Sequence, residues 1–417
     1  MPRDCSPKRR RRLIFLVLAL MYVLAYFYRV SLAVVAQDIS RELGLNPRQL
    51  GSLSGILFFV YALAQIPLGP MIDRLGSRVV IGGSGILTTA GGILFSQAQS
   101  LTTAMAARIM IGVGTASVLM ATFTLFGHWY TRQEFGRMSG LMVAVGNLGN
   151  ISATAPLALA VAAMGWRSSF LIIGALQGVA TSLVFLTVQD RPTTTDSSAE
   201  VFAPRRGEML AAWREIFGSR DFWLLGWIAF FWYGNYLAVQ GLWGGPYLQE
   251  LLFLPRVSAG RVLMCTAMGF IFGSMVIDTM ARRVFRSYKK TFLAGQTLFL
   301  LLMTGFLGWI ELIPPSLLAV AFFALGLAVS SGVMIYPIIR GMFSLRITGT
   351  ALTSLNFFVL MGAALTQQIM GVIIGSFRDG GGSPTAAFHA AFLLPLVGLA
   401  LAMVAYLFAQ DHGLGSS

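Results

Sequence analysis

The chain has 417 residues, of which 56% are hydrophobic and 11% charged, with a mean hydropathy of +0.75. A soluble protein carries about 25% charged residues, so a water-soluble globular fold is excluded and an all-α integral membrane protein is implied. The net charge of +14 raises nucleic acid as a partner, but the basic residues sit at the ends of apolar segments and not on a binding face.

A helix needs about 20 apolar residues to cross the hydrocarbon. Twelve stretches qualify: 13–37, 50–71, 79–98, 101–126, 136–161, 168–188, 222–245, 257–280, 290–311, 315–339, 347–375 and 386–409. Lys8 and Arg9 to Arg12 precede a first apolar run that is too long for a signal-peptide core and lacks a small-residue cleavage site. It reads as an uncleaved first span. That span offers Tyr22, Tyr26 and Arg29 on one helical face. A guanidinium turned toward lipid costs at least about 2.5–3.5 kcal/mol, so Arg29 should face water or a partner. Its planar fork suits a carboxylate or phosphate; the alternative is a structural arginine bonded to helix carbonyls or snorkelling outward. A single base fits a monocarboxylate or zwitterion better than a dianionic phosphate.

The second span adds Tyr61 and Gln65, again one turn apart. It ends at Gly69-Pro70-Met71-Ile72-Asp73-Arg74-Leu75-Gly76-Ser77-Arg78, a charged knot between two uncharged runs. Such a cluster cannot sit in hydrocarbon and must be a tight turn at a membrane surface. The fourth span carries Arg108 and the fifth carries Asn147, Asn150 and Thr154. The seventh carries a stripe of Trp232, Tyr236, Gln240 and Trp243, and the eleventh carries Asn356 and Gln367. These polar groups either line a cavity or bond across helices, at about 0.6 kcal/mol each. All sixteen acidic residues fall in tails, loops or span ends. Candidates for a titrating site are therefore poor: Asp38, His128 and His389 lie at span ends and read as solvated or interfacial.

The polar segment Gln189 to Asp221 divides the spans six and six. The expected organisation is a bundle over 1–188, a cytoplasmic linker over 189–221 and a second bundle over 222–417. Only Arg41, Arg48, Arg167, Arg256, Arg261 and Arg378 fall on the side away from the N-terminus; most of the other basic residues lie on its own side. This asymmetry places both termini in the cytoplasm. The halves also repeat. Tyr28-Arg29-Val30-Ser31-Leu32-Ala33-Val34 overlays Tyr233-Gly234-Asn235-Tyr236-Leu237-Ala238-Val239, and the same offset puts Asp73 on Asp278. A slightly larger offset puts Gly136 on Gly349 and Gly149 on Gly362. Parallel six-helix repeats are a transporter architecture.

The turn from Gly69 to Arg78 resembles the signature between the second and third helices of the major facilitator superfamily, with Ser77 where that family usually has a second basic residue. Arg108-Ile109-Met110-Ile111-Gly112-Val113-Gly114 resembles its fourth-helix pattern, and Gly165-Trp166-Arg167 the short loop into its sixth helix. The resemblance implies twelve helices in two pseudo-symmetric bundles, with the first, fourth, seventh and tenth lining a central cavity. It implies a secondary transporter working by rocker-switch alternating access, by symport with protons or another ion, or by facilitated diffusion or exchange. The solute would be a small organic anion, amino acid or related metabolite. Export of amphipathic compounds and a non-transporting membrane sensor are the alternatives. The fifth helix lacks the Gly-Pro pair of the drug/proton antiporters, which counts against multidrug efflux.

The expected solute contacts are Arg29, Tyr22, Tyr26, Tyr61, Gln65, Asn147, Tyr236, Gln240, Asn356 and Gln367. The expected gating residues are Gly69, Asp73, Arg74, Gly76, Arg78, Arg108 and Asp278. Asp73 would cap the eleventh helix near Thr348 and Asp278 the fifth near Phe135, because a carboxylate is favoured at a helix N-terminus. Cys5 and Cys265 give no disulfide framework or metal-ligand spacing. No phosphate-binding loop, paired-histidine site or nucleophile–base set is present. Neither an enzyme nor a bound cofactor is expected, and the partners are a small solute and the bilayer of a plasma (inner) membrane, around a monomer.

Overall fold

The computed structural model describes residues 7–190, 206–344 and 347–411. Cys5, the side chain of Lys8 and much of the segment between the halves lie outside the described residues. Among those described there is no strand, and eleven helical stretches are long and apolar enough to cross a membrane. One of them, Arg137–Thr187, has 51 residues, about twice what a bilayer requires. Gly165 divides it: φ 78° and ψ 163° turn the chain there, a conformation that the missing Cβ permits. The expected twelve spans result.

The spans are α1 (Pro7–Val30, continued by Leu32–Leu43), α2 (Pro47–Leu75), α3 (Ser77–Ser96), α4 (Leu101–Ala116 and Val118–Trp129), α5 (Arg132–Ser152 and on to Gly165) and α6 (166–187). The second half holds α7 (Arg220–Leu237, Ala238–Trp243 and Gly244–Glu250), α8 (Arg256–Met280), α9 (Tyr288–Met303), α10 (Pro315–Val329, Ser330–Met334 and Ile335–Met342), α11 (Thr348–Asp379) and α12 (Pro384–Leu407). A further short helix, Arg206–Gly218, occupies part of the polar segment between the halves and buries Ala212 and Ile216. It was not legible beforehand, since its pattern is short and broken by charges.

Five helices are interrupted near their middles: α1 at Ser31, α4 at Ser117, α5 at Ala153 and Thr154, α7 by a π-helical stretch and α10 by a 3-10 turn. Ser117 and Ser330, which opens the α10 interruption, correspond under the offset that places Gly136 on Gly349. An interrupted ladder exposes backbone groups that hydrocarbon cannot satisfy, so side chains must do so. Gln65 Nε2 donates to Ala116 O at 3.3 Å beside the α4 break. Gln367 Nε2 donates to Leu237 O at 2.8 Å where α7 loosens, and Trp232 Nε1 to Val329 O at 2.9 Å where α10 does.

In the first half α3 packs on α4 and α6, and α1 on α5; in the second α7 packs on α11 and α12, and α8 on α10. The halves meet along α2 with α11 and α5 with α8. At the end away from the termini the approach is backbone to backbone. A Cβ at Gly51 or Gly55 would stand 2.7 Å from the carbonyl oxygen of Gln367 or Ala364. At the opposite end of the same two helices, a Cβ at Gly69 or Gly349 would meet nothing within 4 Å. The molecule is sealed at one end and parted at the end that carries the termini.

Candidate solute site

Arg29 lies in the last turn of the first segment of α1, two residues before the Ser31 break, and is only 7% exposed. Its Nη2 donates to the Tyr61 hydroxyl at 2.6 Å. The guanidinium lies 4.5 Å from the centre of the Tyr26 ring and 4.6 Å from that of Tyr61, close enough for cation–π attraction. Tyr22 donates to the Tyr26 hydroxyl at 3.2 Å. From the other half, Tyr233 on α7 and Tyr336 on α10 come within electrostatic reach of the same guanidinium. Tyr336 is 40% exposed and opens the cage to the parted end. Among the described residues no carboxylate pairs with Arg29, and its Nε is buried without a partner. A buried cation held by hydroxyls and ring faces, with a donor left over, is chemically a seat for one anion.

The sequence brought forward Tyr22, Tyr26, Arg29 and Tyr61, and all four meet here. It missed Tyr233 and Tyr336. The repeat offered a signal for the first, because Tyr233 overlays Tyr28. For Tyr336 there was none, since α10 has no polar stripe.

The other expected contacts divide. Gln240 is fully buried with neither amide atom bonded, and the Tyr236 hydroxyl is buried and unbonded while its ring stacks on Phe270 at 5.5 Å. Both retain hydrogen-bonding capacity for a polar guest. Gln65 and Gln367 are engaged in the helix repairs described above, though the Gln367 Oε1 stays unbonded. Asn147 donates to Val143 O at 3.0 Å and accepts from Asn150 at 3.1 Å, an intrahelical use. Asn356 is half-buried on α11. Trp232 and Trp243 serve packing, the latter donating to Gln367 O at 3.0 Å.

Arg108, 1% exposed, donates from Nη1 to Tyr28 O at 2.9 Å and from Nε to Leu53 O at 3.3 Å. It ties α4 to α1 and α2 and fixes the backbone one residue before Arg29. The turn expected to gate makes its contacts within the first half. Gly76 (φ 82°) makes the corner between α2 and α3, and Arg78 donates from Nη2 to Phe185 O at 2.6 Å and from its backbone to Asp190 at 2.9 Å. Arg74 is exposed and Gly69 faces open space. The Asp73 side chain lies outside the described residues. Asp278 accepts from Arg282 on its own helix at 2.9 Å and does not cap α5. That cap is supplied by Thr131 and Glu134, whose side chains bond each other's backbone N–H.

The sealed end carries ion pairs that the sequence did not show. Arg48 on α2 donates to Asp379 at 3.1 Å and Ser376 at 3.2 Å on α11. Asp38 at the end of α1, expected as a solvated or interfacial group, pairs there with Arg256 at the start of α8, both largely buried. Burial, opposed by Arg256, holds the Asp38 carboxyl above its ordinary value. His389, at the start of α12, is likewise engaged at its span end, bonding Glu311 at 2.7 Å; Glu311 also accepts from Tyr247 at 3.0 Å.

A family model described as Major Facilitator Superfamily matches residues 18–289. A probable L-galactonate transporter of Escherichia coli is 28% identical over 283 residues, covering 65% of this chain and 61% of that protein; the chain thus matches about three fifths of that relative's length. A probable sulfoacetate transporter of Cupriavidus necator is 28% identical over 297 residues, covering 68% and 67%. Among solved structures, a bacterial homolog of the human lysosomal transporter Spinster, inward-facing and unoccupied, has a TM-score of 0.79 at 18% identity, covering 96% of this chain and 97% of that one. A D-xylose-proton symporter has a TM-score of 0.73 at 13% identity, covering 96% and 98%. These likenesses at low identity establish the fold.

Proposed function

The chain belongs to the Major Facilitator Superfamily and is a transporter of that type, and on this premise we propose that its solute is a small hydroxylated organic acid bound through a single anionic group at Arg29. The observation that carries the reading is the buried, acid-free Arg29 with its unbonded Nε inside a ring of tyrosines. Phenol hydroxyls and the unbonded Gln240 amide suit the hydroxyl groups of such a molecule, because donors and acceptors buried without partners are costly until a guest satisfies them. Both relatives are named for organic acids; galactonate, a hydroxylated monocarboxylate, matches a single-anion seat, whereas sulfoacetate is a dianion without a hydroxyl and serves as the contrasting probe.

In this reading both termini are cytoplasmic, the membrane is the plasma (inner) membrane and the protein works as a monomer. The parted end then opens to the cytoplasm, and the conformation is inward-facing. Rocking of the halves about Arg29 would move the opening to the other side. Coupling to a proton or another ion gradient belongs to the proposal; a coupling proton would ride on the solute's own acid group or on Asp38. The test is counterflow of labelled L-galactonate and sulfoacetate in proteoliposomes, with binding followed by thermal shift. Arg29→Ala should abolish anion binding and Arg29→Lys should weaken it, since an ammonium lacks the fork. Full affinity in the Arg29→Ala protein would remove Arg29 from the site.

A further inference from the structure

Above the sealed end, on the face away from the termini, lies a cavity of about 330 Å³ that both halves build. Gln37, Ser40 and Arg41 come from the α1 extension; Trp243 and Glu250 come from α7 and Arg378 from the end of α11. A volume of this order, at the interface of two bundles, with an aromatic wall and a few polar groups, is what small-molecule sites have. Its charge is unbalanced. Glu250 accepts from Arg378 at 2.5 Å, Asp38 is taken by Arg256, and Glu42 accepts from Arg167 at 2.7 Å. Arg41 is exposed at the mouth and makes no direct ion pair among the described residues; it lies within electrostatic reach of Asp38, whose own direct partner is Arg256. The cavity also adjoins the route inward. Trp243 shares the π-helical stretch of α7 with Gln240, the buried amide with both atoms unbonded.

We propose that this cavity is an outer vestibule that captures a small carboxylate through Arg41, with Trp243 against its apolar part, before the sealed end opens. The proposal rests on the organic-acid reading above and adds a second station for the same class of solute. The vestibule exists only while the halves are joined on this face. A guest there favours the sealed state, because a ligand shifts an equilibrium toward the state it binds better. Uptake should therefore show inhibition by solute at high external concentration.

The test uses the full chain in proteoliposomes with Ser40→Cys as reporter and Cys5→Ser and Cys265→Ser as background. The probes are the anionic sulfonatoethyl and the cationic trimethylammonioethyl methanethiosulfonates, with L-galactonate and sulfoacetate as competitors. One positive charge about 8 Å away in water should speed the anionic reagent and slow the cationic one by about 2.4-fold each, so their rate ratio should rise about sixfold over that at a free thiol at low salt. Arg41→Gln should remove that preference, and external galactonate or sulfoacetate should slow labelling severalfold unless Arg41 is replaced. A rate ratio equal to that of a free thiol, or labelling indifferent to both acids, overturns the vestibule. The Arg29→Ala chain keeps both effects if the vestibule is real, so failure of the central site and failure of this one are distinguishable. The melting temperature of the reporter chain and of its Arg41→Gln form checks that both are folded.

Discussion

Replacing Arg256 by glutamine should shift the molecule away from the sealed state, and the structure sets the scale. Arg256 and Asp38 have side chains 25% and 21% exposed. Removing one partner of a fully buried pair costs about 3–5 kcal/mol, whereas exposed pairs contribute about 0.2–1 kcal/mol. This pair lies between those cases, so about 1.5–2 kcal/mol is a fair figure for Arg256→Gln. The cost falls on the sealed state alone, because both groups are solvated once the halves part on that face. Since about 1.4 kcal/mol is tenfold, the sealed-to-open ratio should fall by about 10- to 30-fold. Arg48→Gln breaks a pair whose side chains are 49% and 73% exposed and should move the ratio by no more than about fivefold. Spin labels at residues 43 and 382, on opposite halves at the sealed face, would report the distance distribution in each variant. Equal distributions for Arg256→Gln and the parent would refute the argument, and so would a larger effect from Arg48→Gln.

The same pair predicts a pH dependence. Burial raises the Asp38 carboxyl in the sealed state, and opening returns it to about 3.9. The sealed state therefore binds the proton more tightly, and its population should rise as pH falls through the raised value, levelling off below about 3.9; Asp38→Asn should flatten that profile in the same distance measurement. Gly51→Ala and Gly55→Ala each push a methyl to 2.7 Å from a backbone oxygen of α11, so both should widen the sealed face and slow transport while anion affinity stays near parental in a thermal-shift titration. Trp232→Phe leaves the Val329 carbonyl unbonded at the α10 break and should cost about 1 kcal/mol, visible as a lowered melting temperature with unchanged solute affinity.

Much of the architecture was legible because hydrocarbon imposes it. Length and apolarity marked twelve crossings, basic residues gave a topology, and the repeat divided the chain in two. Arg29 stood out for the same reason: a guanidinium inside an apolar run needs an explanation whatever surrounds it. Tyr22 and Tyr26 followed from helical spacing on its own face. Tyr61 was legible only as a polar residue on another helix; that it meets Arg29 is a tertiary fact.

The rest depended on which helices lie beside each other. Gln65 and Gln367 looked like cavity amides, but the breaks in α4 and α7 create bare carbonyls that claim them, and a break of that kind leaves little trace in composition. Tyr336 sits on an otherwise apolar helix and acquires meaning only where α10 faces α1. Asp38 and Arg256, far apart in sequence, become a clasp because the halves close on one face and not the other. Sequence alone settled what can reside in lipid and what must be explained there. The tertiary structure decided which buried polar groups satisfy one another and which are left for a guest, because hydrogen-bond partners are fixed by distances between helices that local spacing does not contain.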